Sequence, residues 1–194
     1  MPYLSIFRMP TPMKISGRSS SITNAFINSI IPVLAPTSDQ IREALETLEM
    51  DVHDVRCVYC GDSSTEWDHL NPLVKDKKPT GYVSEIANLV PACGKCNQSK
   101  GNKHWKPWMI SSAPRAPKAR NIADLRKKMD LLDAYEEKFQ PSQHDFSSMI
   151  GEELWTKHWD NWRKILDMMR EAQTVAAEIN IKIKRANQQI ESMD

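Results

Sequence analysis

The chain has 194 residues, a formal net charge of +1 and 40% hydrophobic residues. This length allows one compact core with helical extensions, and it excludes two large domains. The sequence has no run of about 20 apolar residues that could span a membrane. The first ten residues lack the apolar stretch and cleavage site of a secretory signal, so we expect a cytoplasmic protein without a membrane segment.

Charge is unevenly distributed along the chain. Residues 51 to 120 contain eleven Lys and Arg against seven Asp and Glu, whereas residues 121 to 194 contain eleven against fourteen. An excess of positive charge in one segment favours a polyanionic ligand near that segment.

The N-terminal third is predicted to contain an arm followed by a helix. Residues 1–36 are rich in Ser, Pro and Asn, and we interpret them as an N-terminal arm. Thr37 or Ser38 is a suitable cap for a helix from Asp39 to about Met50, because the apolar residues of that segment fall on one helical face.

The middle of the chain predicts a small mixed structure. Glu66 to Leu70 and Ala87 to Val90 have the composition of short strands, and a polar loop with Pro79 and Gly81 joins them. A helix is predicted to begin near Cys93. Residues 37–110 are therefore expected to form a compact α+β core.

The C-terminal part is predicted to be helical. Pro107 to Pro117 has the composition of a linker, and two helices are expected, from Asn121 to Phe139 and from Gly151 to Ile190. Apolar residues recur at steps of three and four along the second helix. This stripe favours burial against the first of these helices, or against a second copy of the chain, over any ligand role. Residues 111–194 are thus interpreted as a helical extension.

All four cysteines lie in two Cys-x2-Cys pairs, and none is left over. In a chain without a secretory signal this spacing favours a structural Zn²⁺ site over disulfides. The predicted zinc ligands are Cys57, Cys60, Cys93 and Cys96. The 32 residues between Cys60 and Cys93 contain an Asp68-His69 pair and Asn88.

An Asp-His pair alone is weak support for a catalytic site, because many histidines have structural roles. Adjacent side chains of a strand point to opposite faces, so Asp68 and His69 can serve one site only if the strand ends or bends there. Pro72, just downstream, is consistent with such an ending. The acid could then bind a hard cation while the imidazole faces a water molecule.

Four short motifs together resemble the HNH nucleases of the ββα-metal class, in the subgroup with a four-cysteine structural zinc. The resemblance covers about residues 57 to 105. The motifs are Cys57-Val-Tyr-Cys60, Trp67-Asp68-His69-Leu70-Asn71-Pro72, Asn88-Leu89-Val90 and Cys93-Gly-Lys-Cys96-Asn97-Gln-Ser-Lys100-Gly101. This resemblance implies a small ββα-metal nuclease core with zinc knuckles, flanked by an N-terminal arm and helix and by C-terminal α-helices.

The resemblance also implies a role for each polar residue of these motifs. His69 is similar to the general base, Asp68 and Asn97 to ligands of the catalytic cation, and Asn88 to the residue that braces the loop holding the base. Asparagine at position 97 replaces the histidine of the family name and is a common variant. Cleavage by this family leaves 5′-phosphate and 3′-hydroxyl ends.

The chemistry of phosphodiester hydrolysis agrees with this set of residues. The reaction needs an activated water and positive charge on the phosphate oxygens, which a histidine and one Mg²⁺ or another divalent cation supply. Magnesium keeps several waters, so two protein ligands suffice. His104 lies seven residues after Asn97, about 10 Å farther along a helix, and cannot occupy the same coordination position.

The expected partner is double-stranded DNA. Trp105 and Trp108 alternate with lysines after the last motif. Together these side chains could contact successive phosphates of a nucleic-acid backbone. A solvated helix face with two packing tryptophans is an equally good interpretation. The predicted DNA contacts are Lys75, Lys77, Lys78, Lys100, Lys103 and Lys106.

The sequence therefore predicts a metal-dependent DNA endonuclease, of the site-specific restriction type. A homodimer through the C-terminal helices is the expected assembly, since the two-fold symmetry of a dimer matches that of a palindromic DNA site. Two alternatives stay open. One is a phage or mobile-element HNH nicking nuclease, and the other is a zinc-stabilised nucleic-acid-binding module that lacks catalysis.

Overall fold

A computed structural model of the protein describes residues 6–191. The chain forms two compact units. In the part described, one unit comprises residues 6–26 and 150–191, and the other comprises residues 27–149. The larger unit contains all of the motifs that carry polar or metal-binding chemistry.

The first helix that lies wholly within the larger unit is capped. Helix α2 spans Ser38–Thr47, and Thr37 is its N-cap. The Thr37 side chain accepts a hydrogen bond from the Gln40 backbone, and the Gln40 side chain accepts one from the Thr37 backbone. This reciprocal capping box satisfies two backbone N–H groups that a helix start leaves free. The predicted helix in this region is confirmed.

A ββα arrangement forms the centre of this unit. Strand β1 (Glu66–His69) pairs antiparallel with β4 (Leu89–Ala92), and helix α3 (Gly94–Lys100) follows β4 directly. Strand β4 starts two residues later than predicted because Ile86–Asn88 form a 3-10 turn. The predicted α+β fold class is confirmed.

The loop between β1 and β4 contains a short hairpin that the sequence did not predict. Its strands are β2 (Val74–Lys75) and β3 (Lys78–Pro79). Asp76 and Lys77 at the tip both have positive φ angles, of 50° and 60°. Two central residues with positive φ are typical of the type I′ turn, whose twist matches that of a two-stranded hairpin.

Three further helices follow in the chain, α4 (Trp105–Met109), α5 (Leu125–Phe139) and α6 (Phe146–Ile150). The segment predicted as a linker contributes to the core, because Trp108, Met109 and Ala116 are buried. Helix α5 also packs on the ββα centre. Its Tyr135 hydroxyl, which is buried, donates to the Ile86 carbonyl at 2.7 Å.

Gly81 is required by the close approach of two loops in the larger unit. Its φ is +95°, and a Cβ at this position would lie 2.2 Å from the His144 carbonyl oxygen. The His144 backbone N–H donates to the Gly81 carbonyl at 3.0 Å. Only glycine tolerates both the backbone angle and the contact.

The smaller unit is helical. Its elements are a 3-10 helix (Ile15–Arg18), part of α1 (Ser19–Ser29), and the long helix α7 (Glu152–Glu191). The segment predicted as an arm thus contains a helix. Trp162 of α7 donates from its indole to the Thr23 hydroxyl at 3.1 Å. The first half of the apolar stripe therefore packs on the N-terminal segment, a partner that the sequence prediction did not name.

The second half of the α7 stripe is exposed to solvent. More than half of the surface of each of its larger apolar residues is accessible, as for Ile179, Ile183 and Ile190. Across residues 6–191, no helix is both long and apolar enough to cross a bilayer.

Candidate functional site

The four cysteines come together in one cluster. Cys57 and Cys60 lie on a turn before β1, Cys93 is the N-cap residue of α3, and Cys96 is in its first turn. Their sulfur atoms all lie within 4.8 Å of one another. The Cys60 and Cys93 sulfurs are 3.7 Å apart. A zinc tetrahedron with Zn–S bonds of about 2.3 Å has edges of about 3.8 Å, so the cluster fits a structural zinc ion.

The chemistry of the thiols agrees with a metal site. The hydrogen bond to Cys60, together with burial, raises the pKa of the Cys57 thiol to about 12. Neighbouring thiols at this distance do not all ionise unless a cation balances their charge. The turn that holds Cys57 and Cys60 is tight, because the Gly61 N–H donates a hydrogen bond to the Cys57 carbonyl at 2.8 Å.

Arg120 approaches the cluster from a distant part of the sequence. Its guanidinium lies 3.6 Å from the Cys96 sulfur and 3.4 Å from the Asp62 carboxylate. A cation beside metal-bound thiolates offsets part of their negative charge. No sequence motif identifies Arg120, because 24 residues separate it from Cys96.

Asp68 lies buried on β1 between a phenol and an ammonium group. Its carboxylate accepts a hydrogen bond from the Tyr59 hydroxyl at 2.7 Å. The Lys100 ammonium lies 3.3 Å from the same oxygen and 3.4 Å from the other. Burial raises the pKa of Asp68, while Lys100 and Tyr59 act in the opposite direction.

Lys100 was predicted as a DNA contact, and this prediction is wrong. The side chain is fully buried. Its ammonium also donates to the His69 carbonyl at 2.5 Å and contacts the Gly101 carbonyl at 3.5 Å. The two carbonyls and the Asp68 carboxylate occupy all three N–H bonds of the Lys100 ammonium, so none is available to a phosphate. Lysine is rarely fully buried, which is why its type alone suggested a surface position.

His69, at the end of β1, is anchored by Ser84. The Nε2 atom of the imidazole lies 2.7 Å from the Ser84 hydroxyl. Burial lowers the pKa of His69 to about 4, with a further contribution from the Lys100 charge. The imidazole is therefore neutral at pH 7.

Ser84 itself is fixed by backbone contacts. Its N–H donates to the Pro32 carbonyl at 3.0 Å, and its carbonyl accepts from the Leu34 N–H at 2.8 Å. Sequence reasoning missed Ser84, because a serine 15 residues from the histidine carries no motif signal.

Asn88 is fully buried and binds the turn that follows β1. Its amide oxygen accepts from the Asn71 N–H at 2.8 Å, and its amide nitrogen donates to the Asn71 carbonyl at 3.1 Å. Both contacts are made to the backbone two positions after His69. The Asn71 side chain in turn donates to Glu136 of α5 at 2.9 Å.

Asn97 faces Glu66 across the gap between α3 and β1. The Asn97 amide nitrogen donates to the Glu66 carboxylate at 2.7 Å. Asp68 and Asn97 both carry oxygen atoms of the kind that Mg²⁺ prefers. The donor set of one carboxylate and one amide therefore suits a hard divalent cation. Glu66 was not among the predicted site residues.

The remaining predicted DNA contacts lie in different environments. Lys75, Lys77 and Lys78 are exposed on the β2–β3 hairpin. The Lys103 ammonium donates to the Ser99 carbonyl at 3.1 Å. The Lys106 ammonium pairs with Asp133 at 2.7 Å.

The two tryptophans after α3 pack in the interior. Trp105 and Trp108 are buried. The Trp105 indole donates to Glu136 at 3.1 Å, and the Trp108 indole donates to the Ser99 hydroxyl at 3.1 Å. The structure therefore favours the packing interpretation for both. His104 caps α4 through its Nδ1 atom, and its other nitrogen lies 3.6 Å from Glu136.

Comparisons with known proteins agree with this geometry. Residues 57–103 match the family model described as HNH endonuclease. Over 57 residues the chain is 39% identical to the CRISPR-associated endonuclease Cas9 of Corynebacterium diphtheriae. This match covers 27% of the chain and only 5% of that relative. No solved structure matches the chain significantly. Residues 57–103 therefore form an HNH endonuclease domain, a member of a family of metal-dependent nucleases, and this domain carries a four-cysteine cluster that fits zinc.

Proposed function

We propose that the protein is a metal-dependent DNA endonuclease that hydrolyses phosphodiester bonds to 5′-phosphate and 3′-hydroxyl ends. In this proposal His69 is the general base, and Asp68 and Asn97 hold a catalytic divalent cation, with Mg²⁺ the expected ion. Asn88 braces the turn behind the base, through its two hydrogen bonds to the Asn71 backbone.

The observation that supports the proposal is the hydrogen bond with Ser84 that holds the His69 imidazole at the end of β1, within the segment that matches the HNH endonuclease family. Ser84 binds Nε2 of His69, and the neighbouring residue on β1 is Asp68. When Nε2–H donates its hydrogen bond to the Ser84 hydroxyl, the lone pair of the imidazole is on Nδ1.

The chain's own residues supply positioning and proton transfer. When bound, a divalent cation would supply positive charge to the phosphate oxygens and lower the pKa of a bound water. His69 accepts the proton of the attacking water at Nδ1, while the hydrogen bond to Ser84 keeps the ring from rotating. Proton transfer by a positioned side chain contributes about 10²–10⁴-fold to rate. Lys100 holds the His69 carbonyl and Asp68 together at the end of β1.

Cleavage of supercoiled plasmid in the presence of Mg²⁺ tests the proposal. We expect the wild-type protein to cut, and His69→Ala to reduce the rate by about 10²–10⁴-fold. The matched control is His53→Ala, because His53 is exposed and lies outside the site. A wild-type protein that binds the plasmid without cutting it would favour the non-catalytic binding module instead.

We further propose that cleavage is site-specific, as in restriction enzymes. The exposed lysines of the β2–β3 hairpin and the helices outside residues 57–103 support this proposal, since they provide surface beyond a catalytic core. Sequencing the ends of cut plasmid would show one recurrent sequence with a fixed stagger. Ends on one strand alone would favour the nicking nuclease, and random ends would contradict site specificity.

The proposal includes a homodimer formed through α7. Its support is the exposed second half of the apolar stripe, in which Ala176, Ile179, Ile183, Ala186 and Ile190 recur at alternating steps of three and four. This repeat of 3.5 residues suits a coiled coil between two helices. Light scattering should give a dimer for the wild type and a monomer for Ile179→Lys with Ile183→Lys. A monomeric wild type, with and without DNA, would contradict the dimer.

A further inference from the structure

Two pairs of polar side chains connect β1 with α3. Glu66 and Asp68 are two residues apart on β1 and therefore share a face of the strand. Asn97 and Lys100 are three residues apart on α3 and share a face of the helix. Glu66 contacts Asn97 at 2.7 Å, and Asp68 pairs with Lys100 at 3.3 Å. The two proposed cation ligands thus belong to different pairs, each with a partner of its own.

The partner of Asn97 determines which way its amide group faces. An ionised carboxylate only accepts hydrogen bonds, so the amide nitrogen of Asn97 has to face Glu66. The amide oxygen then points to the other side of the planar group. A hard cation binds an amide through oxygen and not through nitrogen. Without Glu66, neither orientation of the Asn97 amide would be favoured by this contact.

Glu66 also supplies the negative charge of the site. Lys100 neutralises Asp68, because the two groups form a buried ion pair. The Asn97 amide adds no charge. Among residues 6–191, Glu66 has no ion-pair partner within 4 Å. Magnesium sites in proteins use one or two carboxylates, so a site with Asp68 already paired needs the charge of Glu66.

Gly94 makes room for the Glu66 carboxylate. A Cβ at position 94 would lie 2.7 Å from one oxygen of Glu66. That oxygen is the end of a flexible side chain on an exposed strand position, so it can move away at little cost. Gly94→Ala is therefore expected to displace Glu66 while α3 stays intact, since alanine favours a helix more than glycine does.

We propose that Glu66 is a positioning residue of the cation site: it turns the amide oxygen of Asn97 towards the cation and supplies the negative charge that Lys100 removes from Asp68. This inference rests on the proposed function, in which Asp68 and Asn97 hold the cation. It assigns Glu66 no contact with the substrate.

Binding of Mn²⁺ to the zinc-loaded, full-length protein tests this inference without DNA. Electron paramagnetic resonance of free Mn²⁺ gives the dissociation constant, and Mg²⁺ competition gives that of the physiological ion. Removal of a group that orients a metal ligand costs about 10–100-fold in affinity. We expect Glu66→Ala to lose affinity within that range. Glu66→Gln should lose less, since its amide oxygen can still accept from Asn97.

Two further variants complete the design. Gly94→Ala should weaken Mn²⁺ binding although it leaves the glutamate in place. Glu137→Gln, an exposed glutamate on α5, is the control and should bind as the wild type does. Zinc content and thermal unfolding should be unchanged in every variant. In cleavage assays a high Mg²⁺ concentration should restore the rate of Glu66→Gln, whereas no concentration restores His69→Ala.

The outcomes separate this inference from the proposed function. If the wild type binds Mn²⁺ and cuts DNA while both Glu66 variants bind within about twofold of wild type, the positioning role is wrong and the nuclease proposal stands. If the wild type binds no Mn²⁺ beyond the zinc site and does not cut, the nuclease proposal fails and the role of Glu66 fails with it.

Discussion

The four-cysteine cluster and the polar site around His69 lie on the same ββα segment, but they are held together differently. The cluster takes its ligands from two short turns, Cys57 with Cys60 and Cys93 with Cys96, and each turn fixes two sulfurs by local geometry. The polar site depends instead on side chains from separate parts of the chain, such as Ser84 at His69. The four-cysteine cluster thus depends on local turn geometry, whereas the arrangement of the polar site depends on the fold that this cluster helps to hold together.

The largest expected effect is on the zinc frame. Cys57→Ser or Cys96→Ser should unfold the segment, because structural zinc contributes about 10–16 kcal/mol of binding free energy, as much as the whole stability of a typical domain. Metal analysis should find one zinc per wild-type chain, and circular dichroism should follow the loss of structure. Variants that stay folded without zinc would show that the frame does not depend on the metal.

A smaller effect is expected from the buried ion pair of the polar site. Lys100→Met leaves the Asp68 carboxylate buried without its cation, which should cost about 3–5 kcal/mol in the free energy of unfolding. Urea unfolding of the zinc-loaded protein measures this loss. Adding Asp68→Asn should recover much of it, since the amide oxygen can still accept from the Tyr59 hydroxyl. Equal losses in the single and double variants would argue against the ion pair as the cause.

The pH dependence of stability should report on His69. Its pKa is lowered from 6.5 to about 4 in the folded protein, so the unfolded chain binds a proton first as the pH falls. The free energy of unfolding is therefore unaffected by protonation of His69 above pH 6.5. It falls as the pH drops from 6.5 to 4, by up to about 3 kcal/mol in total. Urea unfolding at pH 7 and pH 5 should show a steeper loss for the wild type than for His69→Asn. Parallel losses in the two proteins would exclude His69 as the source.

The smallest effect is expected at the hairpin, outside both sites. We expect Lys75→Gln, Lys77→Gln and Lys78→Gln together to weaken DNA binding at low salt. The slope of log affinity against log salt should fall by about one for each of these lysines that binds a phosphate. Fluorescence anisotropy at several salt concentrations measures this slope. Lys127→Gln, an exposed lysine on α5, is the control. An unchanged slope would show that none of the three hairpin lysines binds a DNA phosphate.

The sequence predicts the parts of this structure that depend on local spacing. The two cysteine turns, the capped helix α2, strand β1 and the start of α3 all follow from residues within a few positions of one another. The zinc ligands could be named for the same reason, since Cys-x2-Cys geometry is local.

The contacts that surround the polar site could not be predicted in the same way. Ser84 and Glu66 belong to no motif, and their roles depend on the pairing of β1 with β4 and on the position of α3. Lys100 was misassigned because a lysine next to other lysines suggests a surface, whereas here its ammonium is enclosed by three acceptors. Helix α1 was missed because its serine-rich sequence has little helical preference of its own.

The burial of Tyr135 and Leu132 of α5 bears on how this domain could be moved into another protein. Both side chains are fully enclosed within the core of the ββα centre, although they lie about 30 residues beyond the last residue matched by the HNH model. A fragment cut at the motif boundaries would expose that core, and it would leave the Trp105 indole without Glu136. The smallest fragment that keeps these contacts therefore extends from Pro32–Leu34, which bind Ser84, to the end of α5, about twice the length of the segment that the HNH model matches.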